Sequence, residues 1–387
     1  MALKVSNRGR IAPFIVMDVM AQANARAAAG HDVIHLEVGQ PSTGAPAAVL
    51  AAAGERLGTD RLGYTDAFGL PELRRRIAEH YLVRYGVNID PARIAVTTGS
   101  SGAFVLGFLA AFDKGDRVAF AAPGYPGYRN ILSALDIQPV ALKGARESGF
   151  QPTVALLDAL ETPPDGLIIA SPANPTGSML DVEALEELAA WCRDKGVRMI
   201  SDEIYHGITF EKTASSLATI NPDAIVINSF SKYYSMTGWR LGWMVVPDDL
   251  CRACECLAQN LFISPPTLSQ YAGVTVFDYT DDLEANVRRY GQNRDILLEG
   301  LPRAGFGPFA PADGAFYIYA GIEALGNDSV ALAREILDVA NVAVTPGTDF
   351  DDAHGAGFIR FSYAGSNAEM QDAVARLERW SQARNRC

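Results

Sequence analysis

The segment Ser229-Phe230-Ser231-Lys232-Tyr233-Tyr234-Ser235-Met236-Thr237-Gly238-Trp239-Arg240-Leu241-Gly242 sets one lysine among hydroxyls and aromatics, with no acidic residue in the stretch. In a neutral, loop-like setting a lysine can have its pKa lowered and become an amine nucleophile toward an aldehyde. An isolated lysine is ordinarily a solvated surface group, so the reading turns on the surroundings. The segment follows an apolar run at 224–228, and the same arrangement recurs three times. Gly99-Ser100-Ser101-Gly102 follows a run at 93–97, Asn174-Pro175-Thr176-Gly177 follows 166–170, and Asp202-Glu203-Ile204-Tyr205 follows 197–201. Further runs at 117–121, 139–142 and 241–246 alternate with helical stretches. That alternation predicts an α/β fold with a mostly parallel central sheet between helices. The clearest helix spans 181–195, with Asp181 as its N-cap. Ligands of an open α/β sheet bind beyond the carboxyl ends of its strands. Four polar clusters at such ends, together holding a lysine, a carboxylate, an amide, a phenol and a Ser/Gly turn, describe a single pocket.

After about residue 280 the texture changes. A charged helix over 281–301, a strand at 315–319, another helix and strands near 342–345 and 358–362 predict a smaller α+β domain. The expected division is an N-terminal arm at 1–46 that joins the small domain, a large domain at 47–284 and a small C-terminal domain at 285–387.

The balance of 33 basic against 45 acidic residues, a net charge of −12, argues against nucleic-acid or anionic-membrane partners, which need a basic face. No apolar run approaches bilayer-spanning length, and the N-terminus lacks a secretory pattern. Five cysteines (Cys192, Cys251, Cys254, Cys256, Cys387) in no framework spacing fit a reducing cytoplasm. Cys251, Cys254 and Cys256 lack the second Cys or His pair of a zinc site and read as part of a half-buried helix, so no metal is expected.

Segment 229–242 resembles, at every defining position, the lysine signature of the class I/II aminotransferases, pyridoxal-phosphate (PLP) enzymes of fold type I. The resemblance runs from about residue 30 to the C-terminus. It implies that Lys232 carries PLP as a Schiff base in a large PLP-binding domain. Ser229 and Arg240 would bind the cofactor phosphate, for which a guanidinium offers a planar fork of donors. Asp202 resembles the carboxylate that keeps the pyridine nitrogen protonated, and Tyr205 and Asn174 the donors to the phenolic oxygen. Ser100, Ser101 and Gly102, read as preceding an apolar helix at 103–112, fit a phosphate cup. Tyr125, in Pro-Gly-Tyr-Pro-Gly-Tyr, matches the ring that stacks on the pyridine. Tyr64 resembles a tyrosine reaching the phosphate of a neighbouring subunit, which implies a homodimer with sites at the interface. Arg360, with Gly39 and Asn174, resembles the group that holds the substrate α-carboxylate.

The activity so implied is transfer of an amino group from an L-amino acid to a 2-oxo acid through pyridoxamine phosphate, with Lys232, Asp202 and Tyr205 as catalytic residues. The same lysine and carboxylate would equally serve β-elimination from a cysteine conjugate or a cyclopropane-forming synthesis. A PLP-sensing transcriptional regulator would need an N-terminal DNA-binding module, and a nicotinamide dehydrogenase an early Gly-x-Gly-x-x-Gly turn; neither pattern is present. The stretch 259–266, where some dicarboxylate-specific relatives carry an arginine for the distal carboxylate, has none. An apolar, aromatic or alanine-like donor fits as well as aspartate.

Overall fold

The computed structural model describes residues 3–384 and Arg386. Helix Val182–Lys195 shows how closely local chemistry sets the elements. Asp181 accepts from the Ala184 amide at its N-terminus, Leu185, Leu188, Ala189 and Cys192 form its buried stripe, and Gly196 ends it in a left-handed conformation.

A two-residue strand near the N-terminus, Ile34–His35 (β1), precedes those of the main sheet. These are Ile94–Thr97 (β2), Arg117–Ala122 (β3), Gln138–Lys143 (β4), Gly166–Ala170 (β5), Arg198–Asp202 (β6), Ile225–Ser229 (β7) and Gly242–Val245 (β8). They lie in the order β2-β8-β7-β6-β5-β3-β4. β2, β7 and β8 are buried along their whole length, as strands covered on both faces must be. β8 is antiparallel to both its neighbours, so the other six strands share one direction. This single reversal matters for the site. β7 ends at Ser229 exactly where β8 begins at Gly242, the two residues being register partners. The whole connection from Ser229 to Gly242, Lys232 and Arg240 included, therefore stays at the carboxyl edge of the parallel strands.

The C-terminal region adds Tyr317–Gly321 (β9), Val342–Ala343 (β10), Thr345–Pro346 (β11) and Phe358–Ser362 (β12). β11, β12 and β9 form an antiparallel sheet, and β1 pairs in parallel with β10. The strand expected near 342–345 is thus two short strands serving two different sheets, broken at Val344.

A second correction bears on the site. The helix expected at 103–112 begins at Gly99 and runs to Ala111. Gly99, at φ +73°, makes the turn out of β2, so Ser100 and Ser101 lie in the first helical turn rather than before it. Cys251, Cys254 and Cys256 lie on helix Cys251–Leu261, whereas Cys387 is outside the described residues.

Candidate active site

The carboxyl ends of β2, β3, β5, β6 and β7 face a cavity of about 550 Å³. Its wall includes Gly39, Ser100, Ser101, Tyr125, Asn174, Asp202, Tyr205, Lys232, Arg240 and Arg360, residues drawn from the sequence between positions 39 and 360. Three expected residues stand apart. Ser229 is buried behind Ser231, to whose hydroxyl it donates at 2.8 Å, and Ser231 lines the cavity in its place. Gly102 packs under Thr98, where a Cβ would meet Oγ1 at 2.5 Å. Tyr64 is 83% exposed and does not line this chain's own cavity.

Lys232 Nζ donates to the Gly39 carbonyl at 2.7 Å. Its pKa is pushed down to about 8, first by burial and then by the positive charges of Arg360 and Arg240. The Asp202 carboxyl is pushed up to about 6 by burial, against the pull of a hydrogen bond from the Tyr128 hydroxyl and one from the Ile204 amide at 3.1 Å. These two donors fix the carboxylate without neutralising it, which leaves it suited to a cationic partner.

On one side of Lys232, the Ser100 and Ser101 amides belong to the open first turn of a helix with no side-chain cap. Arg240 reaches the same place. A Cβ on Gly99 would stand 2.5 Å from its Nη2, and one on Gly242 2.9 Å from the Ser100 nitrogen, so both glycines are needed for the approach. Ser231 and Thr237 complete a donor-rich cup for a dianion.

On the other side lies Arg360, buried, with no carboxylate partner among the described residues. It donates to Asn174 Oδ1 at 2.8 Å, Thr345 Oγ1 at 3.3 Å and the Glu37 carbonyl, and its Nε has no partner. The Tyr317 and Phe350 rings lie 4.3 and 4.6 Å from the guanidinium carbon. With its amide oxygen taken by Arg360, Asn174 keeps its NH2 as a donor.

Sequence reasoning missed Tyr128, Tyr317 and the apolar residues Phe14, Val16 and Met17, all of which line the cavity. Tyr128 was within reach: it sits three residues beyond Tyr125, the spacing that returns to the same helical face. No sequence signal pointed to Tyr317; its hydroxyl packs against Gly39, where a Cβ would fall 1.6 Å from it.

The family description "Aminotransferase class I and II" matches residues 31–377. The chain belongs to that family. The valine–pyruvate aminotransferase of Mycobacterium tuberculosis is 46% identical over 97% of this chain and 98% of the relative. A crystal structure of an aminotransferase from Mycobacterium tuberculosis superposes with a TM-score of 0.97 at 46% identity, covering 99% of this chain and all of that one (100%). A provisionally assigned aminotransferase from Silicibacter pomeroyi gives 0.93 at 50% identity, covering 98% and 100%. This aminotransferase is thus an enzyme that transfers amino groups. No helix among its described residues is long and apolar enough to cross a membrane.

Proposed function

We propose that this aminotransferase holds pyridoxal phosphate on Lys232 and moves the amino group of an aliphatic L-amino acid, such as valine, to a 2-oxo acid. The reading is carried by the convergence of Lys232, Asp202 and Arg360 on one cavity. The donor set fits the cofactor. The Ser100 and Ser101 amides with Arg240 and Ser231 suit its phosphate, and Ser229 supports Ser231 from behind. Tyr125 suits its ring face, Asp202 its ring nitrogen, and Tyr205 with the Asn174 amide its phenolic oxygen. When bound, the cofactor supplies an aldehyde that takes up the amino group and a ring that accepts the electrons left at the substrate Cα.

The chain's own residues do the rest. Arg360, oriented by Asn174 and Thr345, grips the α-carboxylate of the amino acid. Lys232 Nζ, with a pKa of about 8, is poised to take the Cα proton near neutral pH and return it elsewhere. Phe14, Val16 and Met17 give the cavity an apolar wall beside the reacting atoms.

The choice of an aliphatic donor follows from charge. Among the described lining residues the cations are Lys232, Arg240 and Arg360. Each has a task, which leaves none for a side-chain carboxylate, whereas Phe14, Val16, Met17, Val38 and Ile204 offer apolar contact. The name of the Mycobacterium tuberculosis relative agrees.

Tyr64 is proposed to complete the phosphate site of a second copy in a homodimer. It is exposed, and the next residue, Thr65, donates its amide to Ser264 Oγ at 3.4 Å, beside the exposed Ile263. Residues 1–46 are assigned to the small domain with 285–387, in keeping with the pairing of β1 and β10, and residues 47–284 to the large domain. A cytoplasmic location accords with the free thiols of Cys192, Cys251, Cys254 and Cys256. The deciding experiment incubates the purified protein with pyridoxal phosphate, reduces it with borohydride and maps the label. Label on Lys232, together with 2-oxo acid formed from valine, supports the proposal; label on another lysine, or none, overturns it.

A further inference from the structure

Helix Ile15–Ala28 supplies part of the cavity wall, yet its N-terminus is not capped by its own sequence. Phe14 stands at the N-cap and offers no side-chain acceptor. Instead the Ile15 and Val16 amides donate to the two carboxylate oxygens of Asp349, at 3.0 and 3.2 Å, from more than 300 positions away in the chain. Asp349 is fully buried, with no cation in salt-bridge distance among the described residues. Nearby Arg129 pairs with Asp352 instead. A buried carboxylate without a cation is costly unless its oxygens are hydrogen-bonded, so the helix amides and the carboxylate depend on each other.

The far end of the same helix is tied separately. Arg26 donates to Asp338 and Asn341, and Ala23 packs on Leu337 and Ala343. The helix is therefore anchored at its C-terminal half by one set of contacts and at its N-terminal turn by Asp349. That turn carries Phe14, Val16 and Met17 to the cavity, with the Phe14 ring set edge-on to Tyr125 at 5.8 Å. Asp349 also lies just beyond the strand that pairs with that of Arg360. Its turn, Gly347–Asp349, follows β11, whose Thr345 is the register partner of Arg360, and precedes Phe350, which lies against the guanidinium.

We propose that Asp349 is a positioning residue for substrate specificity: by docking the first turn of helix Ile15–Ala28 it holds Phe14, Val16 and Met17 as the apolar wall that reads the donor side chain. The proposal rests on the transaminase reading of the cavity. Asp349 is not among the described residues that line the cavity; it acts through the backbone of the helix. Branched donors such as valine reach the wall, whereas the methyl group of alanine gains little from it.

Two measurements on the full chain decide the matter. The first is amide hydrogen exchange of the cofactor-free protein. In Asp349→Asn, which keeps one acceptor oxygen, residues 15–20 should exchange faster while residues 23–28 keep their protection. The second is kcat/KM for valine and for alanine, with the valine-to-alanine ratio expected to fall about tenfold in Asp349→Asn, the order of one lost methylene contact. Val16→Ala should lower the same ratio, and adding it to Asp349→Asn should lower it little further. Equal losses for both donors, an unchanged ratio in either single variant, or unaltered exchange at residues 15–20 would overturn the proposal. A wild type that converts neither amino acid sinks the transaminase reading and the specificity claim together, while the exchange arm still decides whether Asp349 holds the helix.

Discussion

The hydroxyls of Tyr205 and Tyr317 lie 2.7 Å apart, and the Tyr317 ring lies 4.3 Å from the guanidinium carbon of Arg360. Tyr317 thus bridges the residue assigned to the cofactor's phenolic oxygen and the residue assigned to the substrate carboxylate. Tyr317→Phe leaves the Tyr205 hydroxyl buried without this partner, at a stability cost of about 1 kcal/mol. We expect kcat to fall in Tyr317→Phe, and to fall further in Tyr205→Phe. The double variant should be no worse than Tyr205→Phe alone, because the two hydroxyls act through one contact. Additive losses in steady-state kinetics would show that Tyr317 acts by another route.

Asp202 links the site to stability. Its folded pKa, about 6, lies above the ordinary 3.8, so the cofactor-free fold favours the protonated form. The stability this provides is complete below about pH 4 and is lost as pH rises through 6. The loss is on the order of 3 kcal/mol. Thermal unfolding of the cofactor-free protein should show this decline, and Asp202→Asn should lack it. Glu203, pushed up to about 7 by burial, adds a separate decline at higher pH, so the difference between the two proteins is the informative quantity. In the loaded enzyme Asp202→Ala should raise the barrier by about 2.7–4 kcal/mol, as removal of a preorganised charge partner does.

Lys232 should capture pyridoxal phosphate only as the free amine. Covalent uptake by the cofactor-free protein, followed by absorbance, should therefore rise with pH, with a midpoint of about 8. Arg360→Gln removes one of the charges that hold this value down and should move the midpoint upward. Lys232→Ala should form no covalent adduct while still binding the cofactor through the Ser100, Ser101 and Arg240 cup. A wild-type midpoint near the ordinary lysine value of about 10.4 would contradict the geometry.

The large sheet and most of the pocket were legible because four of its strands are apolar runs followed by a polar cluster, and the carboxyl edge gathers those clusters. The order of the strands was not legible. Nor was the reversal of β8, since a run such as Gly242–Val245 reads alike in either direction. Ser231 and Ser229 show the limit at single residues: both lie within three positions before Lys232, and only packing decides that one lines the cavity and the other supports it. Phe14, Val16 and Met17 were invisible because their role depends on Asp349, a contact formed across almost the whole chain.

Arg360 carries the last prediction. Its guanidinium uses Nη1 on Asn174 and Nη2 on Thr345 and Glu37, leaves Nε unpartnered, and lies against two aromatic rings. Arg360→Lys keeps the charge and loses both the fork and the planar contact with Tyr317 and Phe350. Because every amino acid presents the same α-carboxylate, kcat/KM should fall for all of them, with little change in their ranking. The wild type, with no spare cation among the described lining residues, should show no large preference for aspartate over valine. A preference of about a thousandfold for aspartate, equivalent to roughly 4 kcal/mol, would mean that another cation reads the distal carboxylate. Steady-state kinetics on alanine, valine and aspartate, in both proteins, separate the outcomes. A uniform loss in the variant fits Arg360 as the α-carboxylate group, whereas a loss confined to aspartate would make it the side-chain reader instead.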